Sequence, residues 1–321
     1  MKKSAVYAFG VLLAVLSVFA CGKKADDEKI LATVNDEAIT VKDFKQQLGN
    51  RHTVILRNPE QAEKLLEQVI EQRLLLQKAK ALGLEESNEY KFSATLLKLS
   101  VVLEAWRSHI ADSLARASAD SSGDAFAIRA RLLQEYEADL QNSLDIRFDE
   151  KNLARLLKRI TAARAQLAVK KDALDSKTLP HIEDDTPIAR SEKGVFTFAD
   201  FMKRAEFTSK QERASLSSLP VLRQFITGLI LRDALLDQAF AEGVDLWPEV
   251  EQRIRYGRQH YLIRKTLAEM LSREQKPVNG SSAGAVVTQR EQQMREQIDN
   301  LKKAARITRN ISLLESLAGQ S

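Results

Sequence analysis

Residues 32–44 read ATVNDEAITVKDF, and residues 189–201 read ARSEKGVFTFADF. The two stretches align without a gap on Ala32/Ala189, Thr40/Thr197, Asp43/Asp200 and Phe44/Phe201. Each reads as strand, polar turn, strand, helix start. In each, a Thr stands three residues before an Asp, which is the pattern of a capping box with Asp in the acidic place. The Thr hydroxyl satisfies an orphan amide of the first turn, and the carboxylate favours the positive helix end. Such self-similarity marks a duplicated chain, and the fold follows from what each copy contains.

The match continues downstream. Residues 65–84 read LLEQVIEQRLLLQKAKALGL and residues 225–244 read FITGLILRDALLDQAFAEGV. Ile70/Ile230, Leu75/Leu235, Leu76/Leu236, Ala79/Ala239 and Gly83/Gly243 coincide. Apolar residues recur at steps of three and four, which predicts an amphipathic helix in each copy. Gly83 and Gly243 stand where a left-handed residue ends a helix. A third helix is expected from 88 to about 114, with Leu96, Leu99, Leu103, Trp106, Ile110 and Leu114 on one stripe. Its counterpart runs from Pro248, at the favoured first helical position, to about 273. Breaks follow at 118–124 and 277–284. Each copy then closes with a helix leading into a short strand, 126–149 in the first and 289–308 in the second.

A basic helix is expected after the first copy, from 150 to about 171, with Leu153, Leu157, Ile160 and Leu167 on one stripe. Residues 147–171 hold eight Lys/Arg against two acids. A solvated face is the simpler reading of that charge, and contact with anionic lipid the sharper one. Residues 175–187, with two prolines and an acidic run, read as the linker between copies.

Composition agrees with long helices. Only 12 glycines and 6 prolines occur in 321 residues, and aromatics are 6%. Turn-rich all-β folds are thereby excluded. The net charge of +5 is spread too thinly to argue for nucleic acid as a partner. One cysteine excludes internal disulfides and cysteine-based zinc sites.

That cysteine is Cys21, behind an uncharged run from Ala5 to Ala20 that follows Lys2 and Lys3. The run is too short to span a bilayer, which takes about 20 residues. Residues 1–20 have the anatomy of an export signal. Leu16-Ser17-Val18-Phe19-Ala20-Cys21 resembles a bacterial lipobox, with Phe19 bulkier than the usual residue there. The resemblance implies that Cys21 becomes the first mature residue and carries lipid. Residues 21–30 then form a tether. No Asp follows Cys21, which in a diderm of enterobacterial type directs a lipoprotein to the outer membrane.

The ordered pieces together resemble the chaperone module of the SurA/PrsA/PpiD group of exported foldases. They are the strand-turn-strand opening with Thr-x-x-Asp-Phe, the Leu-rich helix ending in Ala-x-x-x-Gly-Leu, the long third helix and the closing helix running into a short strand. The closing pieces are YEADLQNSLDIRFDEKNL at 136–153 and QIDNLKKAARITRNISLL at 297–314. The resemblance implies a mainly α fold of two tandem SurA N-terminal-like modules, each with a small β-hairpin. Their expected bounds are 31–174, including the basic helix, and 188–321. Many members of the group carry a parvulin prolyl-isomerase domain between the third helix and the closing helix. Here only Gly123 and His181 stand between Ala111 and Pro187 as glycine and histidine, so that domain is expected to be missing.

His52, His109, His181 and His260 form no metal-ligand spacing. Asp26-Asp27, Asp149-Glu150 and Asp184-Asp185 read as solvated ends of elements rather than acid/base pairs. Trp106 reads as core or as part of a client groove, and Trp247, beside a helix start, as a staple or as groove. No catalytic residue, cofactor or metal is assigned, and client-binding residues are not legible.

The expectation is therefore a lipid-anchored, ATP-independent envelope chaperone without its own isomerase domain. Its partners would be unfolded or partly folded exported proteins and, through the lipid, a membrane. A scaffold lipoprotein gripping one dedicated envelope partner is the alternative. A peptidyl-prolyl isomerase in name, or with a degenerate domain, is the second.

Overall fold

In the computed structural model, residues 27–49, 55–118, 124–169, 185–272 and 283–318 are described. Among these residues the fold is mainly α, with two small antiparallel sheets. The elements are β1 (Ile30–Val34), β2 (Glu37–Thr40), α1 (Val41–Leu48), α2 (Pro59–Ala81), α3 (Asn88–Ala117), α4 (Ala125–Ser143), β3 (Arg147–Phe148) and α5 (Glu150–Val169). The second copy adds β4 (Pro187–Ser191), β5 (Gly194–Thr197), α6 (Phe198–Ala205), α7 (Lys210–Ser215), α8 (Leu219–Ala241), α9 (Pro248–Ser272), α10 (Ala283–Ala304), β6 (Ile307–Arg309) and α11 (Ile311–Ala318).

The expected local signals are present. Thr40 Oγ1 accepts from the Asp43 N–H at 3.1 Å, and the Thr40 N–H donates to Asp43 Oδ2 at 3.1 Å. Thr197 and Asp200 repeat the box at 3.1 and 3.0 Å. Each box starts a helix that drives phenylalanine fully into a core, Phe44 in the first and both Phe198 and Phe201 in the second. Full burial of such a side chain stabilises by about 1.5–3 kcal/mol. Gly83 and Gly243 end α2 and α8 with φ of 67° and 65°, in the left-handed region.

The chain divides into two compact units, but not at the linker. One unit comprises residues 1–90 with 259–321, and the other is 91–258. The second is thus inserted into the first, whereas the sequence reading sets two modules end to end at 31–174 and 188–321. The physical reason lies in the sheets. In the first unit the strand order is β2-β1-β6, so the strand closing the second copy pairs with the hairpin of the first. In the inserted unit the order is β3-β4-β5, so the strand closing the first copy pairs with the hairpin of the second. The closing segments are exchanged. Within the expected linker, Pro187 already belongs to β4. Within the expected second break, Gly284 already belongs to α10.

The exchange keeps one register. Ala32 faces Arg309 and Thr33 faces Thr308, while Ala189 faces Phe148 and Arg190 faces Arg147. The Asn310 N–H donates to the Leu31 carbonyl at 2.7 Å, and the Asp149 N–H donates to the Ile188 carbonyl at 3.0 Å. The helix after each strand buries two leucines, Leu314 and Leu317 in the first unit, Leu153 and Leu156 in the inserted one. The basic helix α5 is therefore a core element of the inserted unit. Ile160 is buried with those leucines, while Leu157, expected on the central stripe, is only partly buried. The side chain of Leu167 lies outside the described residues.

Candidate functional site

A cleft of about 440 Å³ opens in the inserted unit. Three consecutive residues of β5, Gly194, Val195 and Phe196, line one side. This strand is the sheet edge, with β4 on one flank and no described strand on the other. Backbone groups on a free edge are ready to pair with another extended chain. α6 supplies one wall through Asp200 and Arg204, with Phe207 just beyond it, and α8 the opposite wall through Asp233, Leu236 and Phe240. Leu99 of α3 also lines it.

An ionic brace holds the two walls together. The Arg204 guanidinium donates from Nη1 to Asp200 and from Nε to Asp233, and lies 5.1 Å above the Phe196 ring. Burial opposes its charge, but the bonds to Asp233 and Asp200 outweigh that cost and hold its pKa above the usual value. Burial also acts to raise the Asp200 pKa. The Thr197 backbone N–H and the Arg204 side chain overcome it, so the carboxylate stays below its usual pKa. Lys193 pairs with Asp237 at 3.0 Å. The cleft thus carries both signs of charge, largely matched to one another.

Its rim is apolar and exposed. Val195 is 46% exposed, and Phe240 and Phe92 are 38% exposed. Phe92 stacks on Phe207 with centroids 5.2 Å apart. Lys98 lies 5.4 Å from the Phe240 ring and is tied to Asp245 at 2.7 Å. Large apolar side chains grouped around a concavity mark binding surfaces more often than scattered ones do.

The same place in the first unit has other chemistry. By the alignment of the copies, Ala38, Asn50 and Lys80 stand where the cleft has Val195, Phe207 and Phe240. In the first unit Arg73 pairs with Glu37 at 2.9 Å, and Asn35 donates to Gln77 at 2.7 Å. Polar cross-links occur in both copies, since Arg73 and Gln77 align with Asp233 and Asp237, but only the second copy sets aromatics at the positions of Asn50 and Lys80. The sequence reading assigned no client-binding residues. The difference between the two copies at these positions is the sequence signal that marks the cleft residues.

Residues singled out from the sequence fall elsewhere. Cys21, His52 and His181 lie outside the described residues. Trp106 is half-buried on a small core with Val101, Val102, Ala239 and Ile254. His109 stacks on Trp106 at 5.5 Å and meets the edge of Trp247 at 5.2 Å. Neither tryptophan lines the cleft. Asp149 caps α5 by accepting from the Asn152 N–H at 2.9 Å, and Asp27 pairs with Lys45 at 2.9 Å. Among the described residues no group of three or more His, Cys, Asp or Glu could hold a metal ion, and no helix is long and apolar enough to cross a membrane.

Residues 1–96 match the family model of the SurA-like N-terminal domain. The match takes in β1, β2, α1, α2 and the start of α3. It covers less than half of the chain and supports a relationship to the SurA/PrsA foldases at that coarse level. The second hairpin and α8 lie beyond the SurA-like match, yet repeat its elements with the same cap and the same glycine stop. No curated protein and no solved structure matches the chain.

Proposed function

We propose that this protein is a lipid-anchored chaperone of the bacterial envelope that holds unfolded or partly folded exported polypeptides without ATP. The observation that carries the reading is the cleft. A free strand edge, an aromatic rim and two braced walls stand together there, on a chain whose first part is SurA-like. An extended client segment pairs with the outer edge of β5, and its apolar side chains pack on Phe207 and Phe240. Backbone pairing accepts any sequence, and the rim selects only for apolar character. Individual contacts are weak, so release needs no nucleotide. The proposal includes no catalytic step. Export by residues 1–20 and a lipid on Cys21 would place the cleft at a membrane surface outside the cytoplasm, with the outer membrane favoured in a diderm.

One observation favours the scaffold alternative. The ion pairs of Arg204 and Lys193 give the cleft a fixed charge pattern, which suits a single partner of fixed surface.

The test is suppression of aggregation without nucleotide. The chain from Gly22 onward is mixed with two unrelated denatured exported proteins, and light scattering is followed on dilution. Suppression near stoichiometric ratio is expected with both. A V195D/F240D variant with unchanged circular dichroism is expected to lose most of it. No suppression with either client overturns the chaperone reading, and equal suppression by the variant overturns the assignment of the cleft.

A further inference from the structure

Both closing segments have the same spacing of strand, cap and two buried leucines. Both hairpins offer the same register. Hydrophobic pattern alone would therefore let each hairpin take the segment of its own copy. Charge separates them.

In the first unit the closing segment is basic and its receptor acidic. Arg309 donates to both carboxylate oxygens of Glu67, with Nη2 at 3.1 Å from Oε2. Lys302 reaches Glu71 at 2.6 Å and Glu67 at 3.5 Å, and Arg306 reaches Asp36 in the hairpin turn at 2.8 Å. Glu63 adds a further negative field at Arg309. In the inserted unit the one ion pair between closing segment and receptor helix has the opposite sense. Phe148 holds the register position of Arg309, and Arg223 of α8 lies 5.6 Å from its ring. Arg223 also pairs with Glu150 at 2.8 Å.

Three aligned positions carry opposite charges in the two copies. Arg223 stands where the first unit has Glu63, Lys193 where it has Asp36, and Asp145 where it has Arg306. A closing segment docked on its own hairpin would set Asp145 near Asp36 and Glu150 near Glu63. In the other unit it would set Arg309 near Arg223 and Arg306 near Lys193. Every one of these is a like-charge contact.

We infer that the acidic face of Asp36, Glu63 and Glu67 is a selector: it admits the basic segment 302–318 to the first hairpin and rejects the acidic-capped segment 141–157. The first hairpin and α2 thus form a docking surface for a strand–helix segment with cations before and within its strand. Like charges placed against the wrong partner give such discrimination where shape gives none.

Cysteine reporters in the full chain with Cys21→Ser test this. Thr33→Cys with Thr308→Cys reports the exchanged pairing, because these residues are direct cross-strand partners. Thr33→Cys with Arg147→Cys reports pairing within the first copy. Each reporter is put into the parent, into a selector variant (D36K/E63R/E67K), and into a compensated variant that adds R306D and R309E. The parent is expected to form the first intramolecular disulfide only. The selector variant should lose it by roughly threefold or more, with gain of the second disulfide or of intermolecular cross-links, in keeping with several like-charge contacts of modest strength. The compensated variant should recover the first disulfide. Full formation of the first disulfide in the selector variant overturns the inference. So does failure of the compensated variant to recover it, because the loss then reflects damage to the fold rather than charge selection.

Discussion

The backbone N–H of Asn310 donates to the carbonyl of Leu31 at 2.7 Å, joining the last described strand of the chain to the first. This bond fixes where the helix after β6 begins, and so where Leu314 and Leu317 enter the core beside Phe44, Leu66 and Ile70.

Leu314→Ala should therefore cost about 2–5 kcal/mol, the usual range for a fully buried leucine truncated to alanine. Leu153→Ala should cost a similar amount in the inserted unit, since both side chains are essentially buried. Urea unfolding read by circular dichroism measures both. A loss under 1 kcal/mol for either would show that its segment is not docked as described.

Gly243→Ala should destabilise by about 1–2 kcal/mol, the penalty of a left-handed backbone for a residue with a Cβ. No heavy atom beyond the adjoining residues lies within 4 Å of the added methyl, so the effect is one of backbone strain. Gly243→Asn should cost less, because Asn tolerates that region better. If alanine and asparagine proved equal and harmless, the helix stop would not rest on this glycine.

Glu67 provides a pH prediction. Its hydrogen bond to Arg309 lowers its pKa, burial opposes the change, and the charges of Arg309 and Lys302 reinforce it. A carboxylate with a folded pKa below its unfolded value of about 4.3 contributes stability that is fully present above that value. The contribution is lost as pH falls through the lower folded pKa. Glu67→Gln should flatten the stability profile below about pH 4.3. Parallel acid-unfolding curves for the two proteins would rule the ion pair out as a source of acid sensitivity.

Cys21 is expected to carry lipid. Metabolic labelling with a fatty acid should mark the full chain, and Cys21→Ser should abolish the label and release the protein from membranes. Each buried CH₂ adds about 0.8 kcal/mol, so a multiply acylated residue anchors firmly. Labelling that survives the substitution would remove Cys21 from this role.

The parts of the fold legible in the sequence are those written in short-range chemistry. Thr40-x-x-Asp43 and Thr197-x-x-Asp200 announce their helix starts, and Gly83 and Gly243 announce the stops. The related signature Ser209-x-x-Glu212 opens α7, outside the repeated Thr-x-x-Asp pattern. The exchange of closing strands was not legible. A two-residue strand such as Arg147–Phe148 has no period of its own, and Leu153 and Leu314 would satisfy either hairpin equally. The cleft was hidden for a related reason. Phe240 lies on a helix where Leu236, one turn earlier, is buried, so along the chain it reads as one more core position.

The insertion of one unit within the other sets an order of events during synthesis. Residues 91–258 hold both halves of their sheet and can pack as soon as they have left the ribosome or the export channel. The first hairpin, made before all of them, must wait for residues 307–318. Until the ribosome reaches those codons, Leu31, Val34 and Ile39 have no closing strand and helix to cover them. A chain interrupted late would carry a finished inner unit and an open outer one, and that exposed hairpin would present it for degradation.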